Sequence, residues 1–155
     1  MELSYSSIIN VPKAFAFARA TDFVQFEAEG FGKLSPFERR SEIEAPNIGT
    51  RWRTSSEFQG RARRFSLELL ELKPSELMVL GNKSEKYDIE ARFSFEEHTE
   101  GETEFSFKLV AKAQSITARL ILQTIQLARG RIESSMTTEF EKMGRNMEDA
   151  YFASQ

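Results

Sequence analysis

Few side chains in this sequence are equipped to make or break bonds. There is no cysteine and a single histidine, His98. Disulfides, thiolate metal sites, Fe–S ligation and a cysteine nucleophile are therefore excluded, and a Ser-His-Asp arrangement would depend on that one imidazole. His98 lies in Glu96-Glu-His-Thr-Glu-Gly, an acid-rich turn away from any apolar run, which is the setting of a solvated histidine rather than of a catalytic base. Gly30-Phe-Gly has the glycines of a phosphate loop without its Lys-Ser/Thr or a preceding strand. Arg51, Arg53, Arg61, Arg63 and Arg64 fall on neighbouring strand-like runs. They could bind an acidic partner, a lipid head group or RNA, but a solvated sheet face balanced by Glu57, Glu68 and Glu90 is the simpler reading. No metal site and no organic cofactor is expected from this inventory.

The elements that must hold these side chains belong to a globular chain. Of 155 residues, 40% are hydrophobic and 29% charged, with only 8 Gly and 4 Pro, which excludes collagenous, low-complexity and broadly disordered classes. A net charge of −3 disfavours a nucleic-acid partner held by excess positive charge. The start of the chain, Met1-Glu-Leu-Ser-Tyr-Ser, has no basic region followed by an apolar run, and no segment reaches the ~20 apolar residues of a membrane span. The expectation is one soluble, cytoplasmic domain over residues 1–155. Phe supplies 14 of the aromatic residues against 1 Trp and 3 Tyr, so the interior is large, apolar and short of polar handles.

Periodicity supplies the order of elements. Leu3, Tyr5, Ser7 and Ile9 alternate with Glu2, Ser4 and Ser6, as in a half-buried strand. Pro12 opens a short helix to about Arg19, and Thr21 or Asp22 caps a second that carries Phe23 and Phe26 and stops at Gly30. From Phe37 about six strands follow, separated by turn signals at Pro46-Asn47-Ile48-Gly49, Gln59-Gly60, Lys73-Pro74-Ser75, Gly81-Asn82-Lys83 and Thr99-Glu100-Gly101. Trp52, Thr54, Ser56 and Phe58 share an inner face, as do Phe65, Leu67 and Leu69, then Tyr87 to Phe95 and Phe105 to Ala111 at every second residue. Leu70 and Leu72 break the phase, which predicts a bulge or bend. Ser115 caps a helix to about Tyr151, with Ile132, Met136, Phe140, Met143, Met147 and Tyr151 as its buried stripe. Its first half is apolar round most of its circumference, and Gly130 weakens it enough to allow a bend.

The order strand, two short helices, antiparallel meander and long C-terminal helix, together with Ser7-Ile-Ile-Asn-Val-Pro-Lys-Ala-Phe-Ala-Phe, Ile48-Gly-Thr-Arg-Trp-Arg, the Phe65 to Val79 hairpin and Gly101-Glu-Thr-Glu-Phe-Ser-Phe, resembles the START-like (SRPBCC) superfamily of polyketide cyclases, dehydrases and lipid-transport proteins. The resemblance implies an α+β helix-grip fold, a curved antiparallel sheet of about seven strands wrapped round the C-terminal helix. It also implies a cavity for a small hydrophobic or amphipathic, lipid- or polyketide-like ligand. Phe23, Phe26, Trp52, Thr54, Phe65, Leu67, Phe93, Phe107, Leu120, Thr124 and Leu127 are its expected lining, because the strand residues oppose the charged face and the last three share one helical side. The hydroxyls of Thr54, Ser56 and Tyr87 would need partners in a dry interior. Two alternatives stand beside binding: a cyclase- or dehydrase-type enzyme, and an interaction module with a closed core whose apolar Ile116 to Ala128 segment pairs with a partner or forms a homodimer.

Overall fold

A computed structural model describes residues 1–41, 47–58 and 60–155. Strand β1 (Glu2–Ile9) is followed by helices α1 (Lys13–Ala20) and α2 (Phe23–Glu29). Pro12 occupies the N-cap of α1 in extended backbone, where its missing N–H costs nothing. Asp22 caps α2 by accepting a hydrogen bond from the Gln25 amide at 3.2 Å, and Gly30, at φ 75°, ends it. A Cβ on Gly30 would also lie 2.1 Å from the Leu34 carbonyl oxygen, so this turn tolerates no side chain.

The remaining strands are β2 (Glu38–Arg39), β3 (Arg51–Phe58), β4 (Arg61–Lys73), β5 (Leu77–Lys83), β6 (Tyr87–Thr99) and β7 (Glu102–Ala113). They form one antiparallel sheet in the order β1-β7-β6-β5-β4-β3-β2, so the first strand pairs with the last. The predicted bulge lies in β4, where the register with β5 slips between Leu69 and Glu71. Leu69 and Leu72 consequently face the same side, while Leu70 lies over Gly81, where a Cβ would come within 2.5 Å of its methyl. This accounts for one misplaced turn. Gly81 and Asn82 are strand residues, and Gly81 gives the bulged leucine room; the connection is instead Ser84 to Lys86, closed by Ser84 and Tyr87. Pro46 and Gln59 lie outside the described residues, but the rest of their signals turns as expected: the Thr50 amide donates to the Asn47 carbonyl at 2.9 Å, and Gly49 and Gly60 have φ 95° and 77°.

Ser115 accepts a hydrogen bond from the Ala118 amide at 3.1 Å and caps helix α3 (Ile116–Leu127), as its sequence predicts. The expected single long helix is divided. Ala128, at φ −97° and ψ 12°, separates α3 from α4 (Arg129–Ala153). The break precedes Gly130, which is itself helical with open space where a Cβ would stand.

Helix α4 lays Phe140 and Met147 fully, and Met136, Met143 and Tyr151 partly, onto the sheet. Phe140 is the hub, with ring centroids of Tyr5, Phe105 and Phe107 at 5.2, 5.3 and 4.8 Å. A second cluster gathers Phe23, Phe37, Trp52, Leu69, Met78 and Leu80 beneath α2, and Leu72 and Phe93 touch both clusters.

Candidate functional site

Strand register assigns the two faces of the sheet. Trp52 opposes Leu67 and Thr54 opposes Phe65, all on the face that α2 and α4 cover. Trp52 is wholly buried, stacks on Phe23 at 5.1 Å with an interplanar angle of 22°, and has Phe37 at 6.2 Å. Its indole Nε1 is the one fully buried side-chain nitrogen or oxygen without a hydrogen-bond partner among the described residues. An indole N–H is a donor only, and leaving one dry and unpaired costs about 1–3 kcal/mol. The buried hydroxyls differ from it. Thr54 donates to the Ser35 carbonyl at 2.8 Å, Thr103 donates to the Val11 carbonyl at 2.7 Å, and Thr50 accepts from the Asn47 amide at 2.9 Å. Thr54 is thus engaged by the loop after α2, and Trp52 supplies the free polar handle of this interior.

The expected lining divides into three groups. Phe23, Phe26, Trp52 and Leu67 meet in the cluster beneath α2, with Thr54 and half-buried Phe65 continuing it along β3 and β4. Phe93 bridges to the second cluster, where Phe107 packs on Phe140. Leu120, Thr124 and Leu127 do not join them. Leu120 is 59% and Leu127 91% exposed, and Ile116 on the same helical side is 78% exposed. The inward side of α3 is instead buried Ala118 with half-buried Ile121, Leu122 and Ile125. Because the segment is apolar on both sides, periodicity alone could not choose which faced the sheet. Phe37, Met78, Leu72 and Ser35 were missed. Phe37 stands alone beside a two-residue strand, and Leu72 reaches this face only through the bulge.

The concave face is incompletely covered at one end. Phe65, Leu67, Tyr87 and Ile89 are half-buried there, and α3 packs chiefly on β7 and α4 rather than across β3 to β5. Arg39, on this face opposite Trp52, is held by Glu27 of α2 in a two-pronged pair at 2.6 and 2.7 Å. That hydrogen bonding, more than Coulomb attraction and against some desolvation, raises the guanidinium pKa above its ordinary value. A cleft of ≈ 170 Å³ opens between the Gly30–Gly32 loop and α4, with Phe26, Phe31, Met143 and Met147 on its apolar side and Arg19 and Lys142 at its rim. A shallow groove of ≈ 420 Å³ lies along β3 to β5, lined by Arg40, Arg51, Arg53, Glu68 and Lys83. His98 is exposed on β6, as its acid-rich surroundings predict.

The fold is shared with solved structures. The aromatase/cyclase Zhui from Streptomyces sp. R1128 superposes with a TM-score of 0.70 over 96% of this chain and 93% of its own, at 10% identity. The chain has the helix-grip fold. A conserved protein from Geobacillus kaustophilus aligns as well, with a TM-score of 0.70, 11% identity and 97% of each chain covered. The di-domain aromatase/cyclase BexL of the BE-7585A biosynthetic pathway gives a TM-score of 0.61 at 9% identity, over 91% of this chain and 46% of that one. No family model matches the sequence, and no curated protein matches it. The helix-grip sheet and helices are therefore preserved where almost no side chain is, and among the described helices none is long and apolar enough to cross a membrane.

Proposed function

We propose that this helix-grip domain binds a small hydrophobic or amphipathic molecule, lipid- or polyketide-like, on the concave face between the sheet and its helices. The observation that carries the reading is the unpartnered Trp52 indole N–H, buried among Phe23, Phe37 and Leu69, beside the half-covered Phe65 and Leu67. A ligand oxygen accepting from that N–H would satisfy it, while the ligand's apolar body would complete the cover of the sheet. The likeness to aromatase/cyclase structures agrees with a small-molecule site on this fold. The proposed lining is Phe23, Phe26, Trp52, Phe65, Leu67 and Phe93. A cyclase-type reaction, the alternative, would need polar groups placed to orient and polarise a carbonyl, and the fully buried threonine hydroxyls are already hydrogen-bonded.

Nile red titration tests this. Saturable binding that shifts the emission of Trp52, the sole tryptophan, and raises the melting temperature by mass action is expected. Trp52→Phe should weaken a carbonyl-bearing probe several-fold, and Leu127→Trp, at an exposed position, should leave affinity unchanged. Absence of saturable binding would reject the reading. In its place would stand an interaction module, which the exposed Ile116, Leu120 and Leu127 of α3 favour.

A further inference from the structure

The charges on the two faces of β3 and β4 are arranged differently. On the convex face Arg51 stands opposite Glu68 and Arg53 opposite Glu38, so each arginine of β3 has a carboxylate across the strand, while the exposed Arg64 of β4 stands opposite Ser55. On the concave face Arg63 stands opposite Ser56, and its same-face neighbours along β4 are Phe65 and Arg61. Arg63 makes no hydrogen bond or ion pair among the described residues.

 On the strands of this face Glu97 lies at the opposite end of β6, and Arg39, also on this face, is held by Glu27. An apolar surface therefore ends in cations at its half-covered mouth, where Ser56 and Tyr87 add half-buried hydroxyls.

We propose that the ligand of this half-covered concave face is an amphipathic carboxylic acid, whose apolar body lies on Phe65, Leu67 and Ile89 and whose carboxylate is received by Arg63. This rests on the binding reading above and adds the chemical class of the ligand. The planar guanidinium offers a carboxylate two parallel N–H donors, and an apolar wall beside it strengthens that pair relative to open water. An uncharged ligand of the same shape would gain the apolar contact alone.

Fluorescence titration with cis-parinaric acid and with its methyl ester separates the two parts of the claim. The wild-type protein should bind the acid about tenfold more tightly than the ester, as expected of a charge-assisted hydrogen bond at a partly covered site. Arg63→Gln should remove that difference and leave ester affinity within about twofold, Arg63→Lys should restore part of it, and added salt should weaken the acid selectively. Equal affinity for acid and ester in the wild type, or equal losses of both in Arg63→Gln, would overturn the carboxylate proposal while leaving the binding reading intact. Failure to bind either compound would overturn the binding reading and this proposal with it.

Discussion

Phe140 and Trp52 show how two buried aromatic residues carry opposite energetic signs. Phe140 is surrounded by the rings of Tyr5, Phe93, Phe105 and Phe107 and has no polar atom to satisfy. Its truncation in Phe140→Ala should cost roughly 3–5 kcal/mol in urea titration, as large core deletions do, and a loss under about 1 kcal/mol would contradict its place at the hub. Trp52 is buried as deeply but leaves its N–H unpaired. Trp52→Phe gives up packing area and relieves an unsatisfied donor, so its cost should stay below about 2 kcal/mol in the ligand-free protein. A larger loss would show that the indole N–H has a partner in solution. Sequence identifies both residues as inward-facing by strand or helix period, but hydrogen-bond satisfaction depends on atoms brought from elsewhere. Ser35, which engages Thr54, lies 19 residues away along the chain.

At the scale of elements, the helix caps are local and the helix break is not. Ser115 and Asp22 each accept from the amide three residues on, a contact set by spacing within one turn. Asp22→Ala should lower stability by about 1 kcal/mol, measured by denaturant midpoint at constant slope. The break at Ala128 has no such local signature. Ala128 is a strong helix former, yet the chain leaves helical geometry there and starts again at Arg129, which reaches the Glu2 carbonyl at 2.7 Å and Glu133 at 2.7 Å. Those contacts orient α4 against the start of β1, so tertiary packing overrides propensity. Gly130, by contrast, is an exposed helical glycine with no neighbour near its missing Cβ. Gly130→Ala should therefore raise stability by about 0.5–1 kcal/mol, read from thermal or urea unfolding; a decrease would mean that the glycine serves the break.

For the whole molecule, the two clusters are joined through Leu72 and Phe93 under one continuous sheet. Unfolding should be a single transition, with Trp52 fluorescence, which reports the cluster beneath α2, coinciding with far-ultraviolet circular dichroism; separate midpoints would show that the clusters melt independently. The amino-acid sequence by itself determined the strands, the caps, the bulge, the stripe of α4 and the order of elements, because each is set by side-chain period or by a contact within a few residues. It also determined that Trp52, Thr54, Phe65 and Leu67 share a face. Only the tertiary structure decided which side of α3 turns inward, since both sides are apolar and the choice depends on β7 and α4 rather than on the helix. The same holds for Gly81, whose place inside β5 follows from a leucine on the neighbouring strand, and for Arg63, whose lack of a facing carboxylate is a property of strand register. Period tells a residue which way to point, but what it then meets is settled by chain segments distant in sequence, and those meetings distinguish a satisfied core from a surface still open to a partner.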